Sequence, residues 1–88
     1  MYRATVVCKG LSDGEAAEAV KDILAEFAQR PWQKKVACEW KDGILRLSAE
    51  NEADQTGTAL LDEFGDAIVA YIRYRGSIHL EVESVVQV

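Results

Sequence analysis

The segment 36–49 constrains the fold of this chain more than any other, because Asp42-Gly43 stands between two runs of alternating apolar and polar residues. This arrangement predicts a β-hairpin, since a tight primed turn requires positive φ at its centre. Pairing outward from the turn gives one apolar face, with Trp40 opposite Leu45, Cys38 opposite Leu47 and Val36 opposite Ala49. The other face pairs Glu39 with Arg46 and Lys35 with Glu50. A slip of one residue would mix the two faces, so the register is well specified.

The segments on either side of this hairpin predict one strand and two helices. Residues 2–9 alternate and are rich in β-branched residues, which favours a first strand. Ser12-Asp13-Gly14-Glu15 has the pattern of a capping box, and an apolar stripe at helical spacing continues to about Gln29. Asn51 followed by acidic residues predicts the start of a second helix. Gly57 falls on the buried stripe of that helix and indicates a close approach to the sheet.

The segment that follows Gly65 is open to two interpretations. A C-cap glycine at this position would end the second helix. Residues 66–72 then form a late hairpin with residues 77–83 around the loop Tyr74-Arg75-Gly76. In that register the inward pairs are all apolar: Ile72 with Ile78, Ala70 with Leu80 and Ile68 with Val82. We prefer the hairpin; in the alternative, the helix continues through Tyr71 and the hairpin is lost.

These elements give the order β-α-β-β-α-β-β. We therefore expect one α+β domain over residues 1–88, with two helices packed on one face of an antiparallel sheet. This is the ferredoxin-like β-α-β-β-α-β plan with an extra C-terminal strand. At the end of the last strand, Val86 and Val88 are expected to face the core.

Composition argues against several classes of partner. The 88 residues carry a formal net charge of −5, whereas a nucleic-acid-binding surface needs a basic patch. We therefore expect no nucleic-acid partner. The longest apolar run, 67–72, is far too short to span a bilayer, so no membrane partner is expected either. Two cysteines without a framework spacing favour a reducing, cytoplasmic location.

The chemically reactive residues do not converge in this arrangement. Cys8 and Cys38 take inward positions on their strands, whereas His79 faces outward. A structural zinc site needs four converging ligands, and a nucleophilic cysteine needs its base within reach. We therefore expect no metal ligand, no cofactor and no catalytic residue. Trp32, just after Pro31, is interpreted as a cap on the edge of the core rather than as a platform for a ligand.

The leading functional hypothesis is a non-enzymatic protein-interaction domain that acts through its sheet face, an edge strand or the late hairpin. The candidate binding residues are Tyr71 and His79 on the exposed sheet face, and Arg73 and Arg75 at the hairpin tip. The partner would be another protein or a second copy of the chain. The alternative is a small-molecule-binding protein or enzyme that uses the sheet face near Tyr71 and His79. A third hypothesis is a structural subunit of an obligate oligomer.

Overall fold

Residues 1–72 and 76–88 are described by the computed structural model, and they form a layer of two helices against an antiparallel sheet of four strands. The elements follow in the order β1 (Tyr2–Lys9), α1 (Asp13–Phe27), β2 (Lys34–Lys41), β3 (Ile44–Asn51), α2 (Thr58–Tyr71) and β4 (His79–Gln87). In the sheet the strand order is β2-β3-β1-β4, which makes β2 and β4 the two edges. The predicted α+β class is therefore confirmed.

The hydrophobic core lies between the helices and one face of the sheet. Alternate residues of β1 point into it, and Ala4, Val6 and Cys8 are fully buried. Phe27 of α1 and Phe64 of α2 are the largest fully buried side chains on the helical side. Burying one such side chain contributes about 1.5–3 kcal/mol, well above the roughly 0–1 kcal/mol of an exposed ion pair. The apolar face therefore determines which side of the sheet the helices cover.

The hairpin predicted at Asp42-Gly43 is confirmed near its turn and wrong at its open end. The two turn residues have φ of 55° and 76°. Three predicted pairs form, namely Trp40 with Leu45, Cys38 with Leu47 and Glu39 with Arg46. Nearer the start of β2 a bulge shifts the register, so Lys34 rather than Lys35 lies opposite Glu50. Lys35 has a positive φ of 50°, which is how the backbone accommodates the extra residue.

The start of α1 follows the predicted capping box. The backbone N–H of Glu15 donates to Oγ of Ser12 at 3.4 Å, and the backbone N–H of Ser12 donates to Oε2 of Glu15 at 2.8 Å. The two bonds satisfy N–H groups that have no partner inside the helix. The helix ends at Phe27. Pro31 lies in the connection to β2, where its ring cannot disturb the helical hydrogen bonds.

The start of α2 differs from the prediction. Its first residue is Thr58 instead of a residue directly after Asn51. Gly57 precedes it with a left-handed φ of 78°. A Cβ atom added to Gly57 would lie 2.9 Å from Cγ1 of Val82 in β4. The close approach of this glycine to the sheet is thus confirmed, although it occurs at the helix N-cap rather than within the helix.

The end of α2 overturns the late hairpin. The helix passes through Gly65 and ends at Tyr71. Three of its residues are buried at the i, i+3, i+4 spacing of a helix packed on a core: Phe64, Ala67 and Ile68. Gly65 faces β4, where an added Cβ atom would touch Leu80 Cδ1 at 3.5 Å. The preferred strand at residues 66–72 is therefore wrong, and the alternative of a continuous helix is correct.

The strand β4 pairs with β1 instead of with the predicted late strand. The described residues accordingly contain no extra C-terminal strand. A bulge at Glu83 shifts the register between β1 and β4. Beyond it Val85 packs against the core, whereas Val86 and Val88 are 46% and 51% exposed. Their predicted inward orientation is wrong, because one additional residue in a strand exchanges the two faces beyond it.

Candidate binding site

Tyr71 lies on the helical layer and not on the sheet. It is the last residue of α2, and its hydroxyl donates to Oε2 of Glu26 in α1 at 2.8 Å. This hydrogen bond to a carboxylate raises the pKa of Tyr71. Arg73 and Arg75, predicted at the tip of the late hairpin, lie outside the described residues.

His79 lies on the opposite side of the molecule from Tyr71. It begins β4 opposite Lys9 on the sheet face that the helices leave open. Its Nε2 is 3.5 Å from Oε2 of Glu81. The structure therefore does not bring Tyr71 and His79 together, because the segment that carries Tyr71 is helical. The sheet face near His79 therefore lacks Tyr71, which the small-molecule hypothesis placed there.

The exposed sheet face, meaning the face opposite the helices, pairs most of its charges within itself. At its centre Nε of Arg46 donates to Oε2 of Glu83 at 2.6 Å, and NH1 donates to Oε1 of Glu39 at 3.5 Å. The bond from Arg46 lowers the pKa of Glu83. Lys9 lowers the pKa of Glu81 in the same way, from a distance of 3.0 Å between Nζ and Oε1. A partner on this face would have to desolvate these pairs, which is costly.

A second set of polar contacts lies where the end of α1, the α1–β2 connection and α2 meet. Glu63 of α2 is its centre. Oε1 of Glu63 accepts from NH1 of Arg30 at 2.8 Å and from the indole N–H of Trp32 at 3.0 Å. Oε2 accepts from the side-chain amide of Gln33 at 2.7 Å. We call these four residues the Glu63 cluster.

The Glu63 cluster continues into the buried end of β3. Gln33 and Asn51 are only 6% and 7% exposed. Nδ2 of Asn51 donates to Oε1 of Gln33 at 3.2 Å. Oδ1 of Asn51 accepts from the backbone N–H groups of Ala53 and Asp54 at 3.0 and 2.6 Å. These bonds satisfy buried amides that would otherwise cost free energy to desolvate.

The Glu63 cluster, Asn51 and Asp54 together form what we call the cavity corner. Asp54 connects this corner to α2. Its Oδ1 and Oδ2 accept from the backbone N–H groups of Ala59 and Leu60 at 3.2 and 3.0 Å. The carboxylate thus supplies the cap that Gly57, which has no side chain, does not provide. The sequence pattern that resembled a helix start at Asn51 is therefore two consecutive caps, one on a turn and one on the helix.

A cavity of about 370 Å³ opens beside the Glu63 cluster. Its walls come from the exposed residues Trp32, Lys34, Glu52, Ala53 and Ala59, and its polar floor from Gln33, Asn51 and Asp54. Most of the accessible lining is apolar. The side chains on the floor hydrogen-bond to Glu63, to each other or to backbone amides, so the cavity suits an apolar group rather than a charged one.

Trp32 is the residue whose role the sequence interpretation missed. Instead of capping the edge of the core it is 55% exposed. Its indole nitrogen is nevertheless fixed by Glu63 at 3.0 Å. An exposed aromatic side chain held in one orientation is favoured as a contact residue, since little side-chain entropy remains to be lost on binding. The only sequence signal is Pro31-Trp32-Gln33, a polar and aromatic connection directly after a helix.

The described part of the chain offers little support for a metal site, a membrane-spanning helix or a nucleophilic cysteine. Residues 1–72 and 76–88 contain no group of three or more histidine, cysteine or acidic side chains placed to hold a metal ion. Among the same residues, no helix has the length and apolar character that crossing a membrane requires. Cys8 and Cys38 are both free thiols, and burial raises their pKa to about 11 and about 12. Thiols of this kind are poor nucleophiles near neutral pH.

Comparison of the chain with models of known protein families, with curated proteins and with solved structures gives no match.

Proposed function

We propose that this protein is a non-enzymatic protein-binding domain. In this proposal the cavity beside the Glu63 cluster, which we call the Trp32 cavity, receives an apolar side chain of the partner. The observation that carries the proposal is the combination of a half-exposed Trp32, fixed by Glu63, with a mostly apolar cavity beside it. Tryptophan is enriched among residues that dominate binding free energy, particularly beside pockets that accept a partner's side chain.

The proposal moves the contact surface away from the sheet face. The charges of that face are largely compensated by Arg46, Lys9 and Arg3, which pair with glutamates on other strands of the sheet. The walls of the cavity are mostly apolar, so a partner loses fewer hydrogen bonds to water there. Free Cys8 and Cys38 are consistent with work in a reducing compartment, which we propose to be the cytoplasm.

The architecture that presents the cavity is, in our proposal, a ferredoxin-like one. The order β-α-β-β-α-β with the sheet order β2-β3-β1-β4 and antiparallel neighbours supports it. In this plan the α1–β2 connection and the β3–α2 connection lie at the same end of the sheet. Trp32 belongs to the first connection and Ala53 to the second, which is why the two side chains line one cavity.

A second candidate function is the binding of a small apolar molecule in the same cavity. Its volume of about 370 Å³ falls in the range of roughly 300–1,000 Å³ that ligand pockets occupy. The protein-binding proposal ranks first because Trp32 is 55% exposed and thus offers contact area outside the cavity as well.

The test is a selection of random peptides displayed on phage against the purified protein. We expect the selected peptides to contain an apolar anchor and to lose at least about tenfold in affinity on Trp32→Ala, as hot-spot residues do. Val69→Ala is the matched control, because Val69 is an exposed apolar residue on α2, at 70% exposure, away from the cavity. Circular dichroism and thermal unfolding establish that both variants are folded.

The two candidate functions separate in this experiment. Peptides whose affinity is the same for the wild type and for Trp32→Ala would contradict the cavity as the contact surface. If no peptide depends on Trp32 while small apolar fragments raise the unfolding temperature of the wild type but not of Trp32→Ala, the small-molecule function replaces the protein-binding one.

A further inference from the structure

The basic side chains of this protein divide into two groups. Within residues 1–72 and 76–88, Arg3, Lys9, Arg30 and Arg46 each form an ion pair. The remaining four in those ranges form no ion pair, and they are Lys21, Lys34, Lys35 and Lys41. Three of these four belong to one element, the edge strand β2. Within these ranges, an acidic protein thus carries most of its unpaired positive charge along one edge of its sheet.

The other edge has the opposite character. β4 carries Glu81 and Glu83 and neither lysine nor arginine. Both glutamates are already engaged, by Lys9 and by Arg46. The two edges therefore differ in what they offer to a partner, because only β2 combines a row of free cations with an unpaired strand edge.

Two of the three lysines of β2, Lys34 and Lys41, lie on the sheet face opposite the acidic helices. Lys34 lies opposite Glu50 and Lys41 lies opposite Ile44. Glu50 and Ile44 in turn lie opposite Arg3 and Lys9 of β1, residues of the sheet face that the helices leave open. A segment beside β2 on this side meets positive charge without first meeting the carboxylates of α1.

The Trp32 cavity lies at the beginning of the same strand. Lys34, the first residue of β2, is one of its walls, and Trp32 precedes the strand by two residues. A strand laid along β2 would therefore run directly into the cavity. At about 3.3 Å per residue, the eight residues of β2 extend over roughly 26 Å, and the regular part beyond the bulge, residues 37–41, provides the pairing edge.

We propose that β2 accepts an extended acidic segment of a partner protein as an additional strand, with one apolar side chain of that segment seated in the Trp32 cavity. This inference rests on the proposed function and names its partner chemistry. Main-chain hydrogen bonds to the edge supply affinity in this mode of recognition, and the side-chain cavity supplies specificity. Carboxylates of the segment compensate Lys34, Lys35 and Lys41, which raises the association rate and selects against basic segments.

The test uses synthetic peptides of about ten residues, long enough at 3.3 Å per residue to pair with β2 and reach the cavity. The parent peptides alternate glutamate with threonine and carry one leucine at either the N- or the C-terminal end, so that both strand directions are sampled. Three matched peptides replace leucine by serine, glutamate by lysine, or alternate backbone N–H groups by N-methyl. Binding is followed by Trp32 fluorescence in the Trp40→Phe variant, where Trp32 is the single remaining tryptophan.

The protein variants test the charge directly. In the triple variant Lys34→Glu, Lys35→Glu, Lys41→Glu we expect at least a tenfold loss of affinity at about 50 mM salt, where the Debye length exceeds 10 Å. Lys21→Glu is the matched control, since it reverses the fourth unpaired lysine but lies on α1. We expect it to change affinity by less than about twofold, the effect of a distant and screened charge.

Each outcome supports or overturns the strand model. Binding that requires leucine, glutamate and the free backbone N–H groups, and that weakens in the triple variant only, supports it. Equal binding of the N-methyl peptide, or equal losses in the triple variant and Lys21→Glu, overturns it in favour of non-specific charge attraction. If no parent peptide binds, the lysines protect the edge from pairing and the inference is overturned. Phage-selected peptides that depend on Trp32 but not on the three lysines would overturn the strand model and leave the proposed function intact.

Discussion

Two arginines of this protein each lie between two glutamates, but the two sets of ion pairs differ in burial and in the side chains they hold in place. Arg46 lies between Glu39 and Glu83 on the exposed sheet face, and Arg30 lies between Glu26 and Glu63 beside the cavity. Glu83, the closer glutamate to Arg46, has 42% of its side chain exposed, whereas Glu63, the closer glutamate to Arg30, has 16% exposed. Glu63 also accepts from two neutral donors, and Glu83 has no such neighbours in the described structure. The arginine of the cavity corner therefore belongs to a network that fixes a tryptophan.

This difference shows that the contribution of an ion pair to stability depends on its burial. On the sheet face, solvent screens the charges and either partner can be hydrated when the pair breaks, so the net stabilisation is small. At the corner, breaking the pair leaves partly buried donors without acceptors. The stacking of Arg30 over Phe27, with 5.2 Å from Cζ to the ring centroid, couples that corner to the core as well.

Glu63→Ala tests this comparison most strongly. We expect it to lower the free energy of unfolding by about 3 kcal/mol, because it removes the acceptor of three donors and leaves Arg30 near a single carboxylate. Glu83→Ala is the matched change on the sheet face and should leave the stability nearly unaltered. Urea unfolding of both variants is the measurement. Similar losses in the two variants would contradict the distinction between the corner and the sheet face.

Gly57→Ala extends the comparison to the backbone of the same corner. We expect a loss of about 2 kcal/mol, since alanine disfavours the left-handed region and its Cβ would press on Val82. Gly43→Ala is the control in the β2–β3 turn, where φ is also positive but no atom lies within 4 Å of the added Cβ. It should cost only about 1 kcal/mol. Thermal unfolding of the two variants decides, and equal losses would show that packing against Val82 does not matter.

Asp54→Ala sharpens the comparison at the N-terminus of α2. Removing the carboxylate leaves the amides of Ala59 and Leu60 without their acceptors, and we expect a loss of about 1 kcal/mol, as for other helix caps. Glu52→Ala, an exposed acidic residue of the same loop, controls for the change of charge. Hydrogen exchange at Leu60 is a second readout, and it should accelerate in Asp54→Ala but not in Glu52→Ala.

The sequence predicted well those features that depend on local pattern and on one decisive residue type. Asp42-Gly43 determined the turn and the pairs closest to it, and Ser12 with Glu15 determined the start of α1. Each of these signals is satisfied by contacts within a few residues. The bulges at Lys35 and Glu83 escaped prediction because they depend on how a strand meets its neighbour across the sheet.

The secondary structure predicted for the segment after Gly65 is wrong, because its apolar residues fit both a strand pattern and a helix pattern over a short window. Ile68 points to the core in either case. Gly65 predicts a helix end as a C-cap glycine, but in α2 it lies inside the helix, beside Leu80 of β4. This error also misplaced the candidate site, since Tyr71 and His79 share a face only in a hairpin. The Trp32 cavity was not predictable, because its walls come from connections whose meeting depends on the whole fold.

The smallest expected effect concerns the dependence of the sheet face on pH. The pKa of Glu83 in the folded protein is lowered from 4.5, chiefly by the hydrogen bond from Arg46. A carboxylate with a lowered folded pKa adds stability above its unfolded pKa, and loses it as the pH falls through the folded value. The unfolding temperatures of the wild type and of Glu83→Gln should therefore differ slightly at pH 7 and converge from about pH 4.5 downward. Arg46→Met should abolish the same pH-dependent difference by removing the cation. A difference that persists unchanged in acid would mean that Glu83 acts through packing and not through its charge, and the sheet face would then resemble the cavity corner more closely than its exposure indicates.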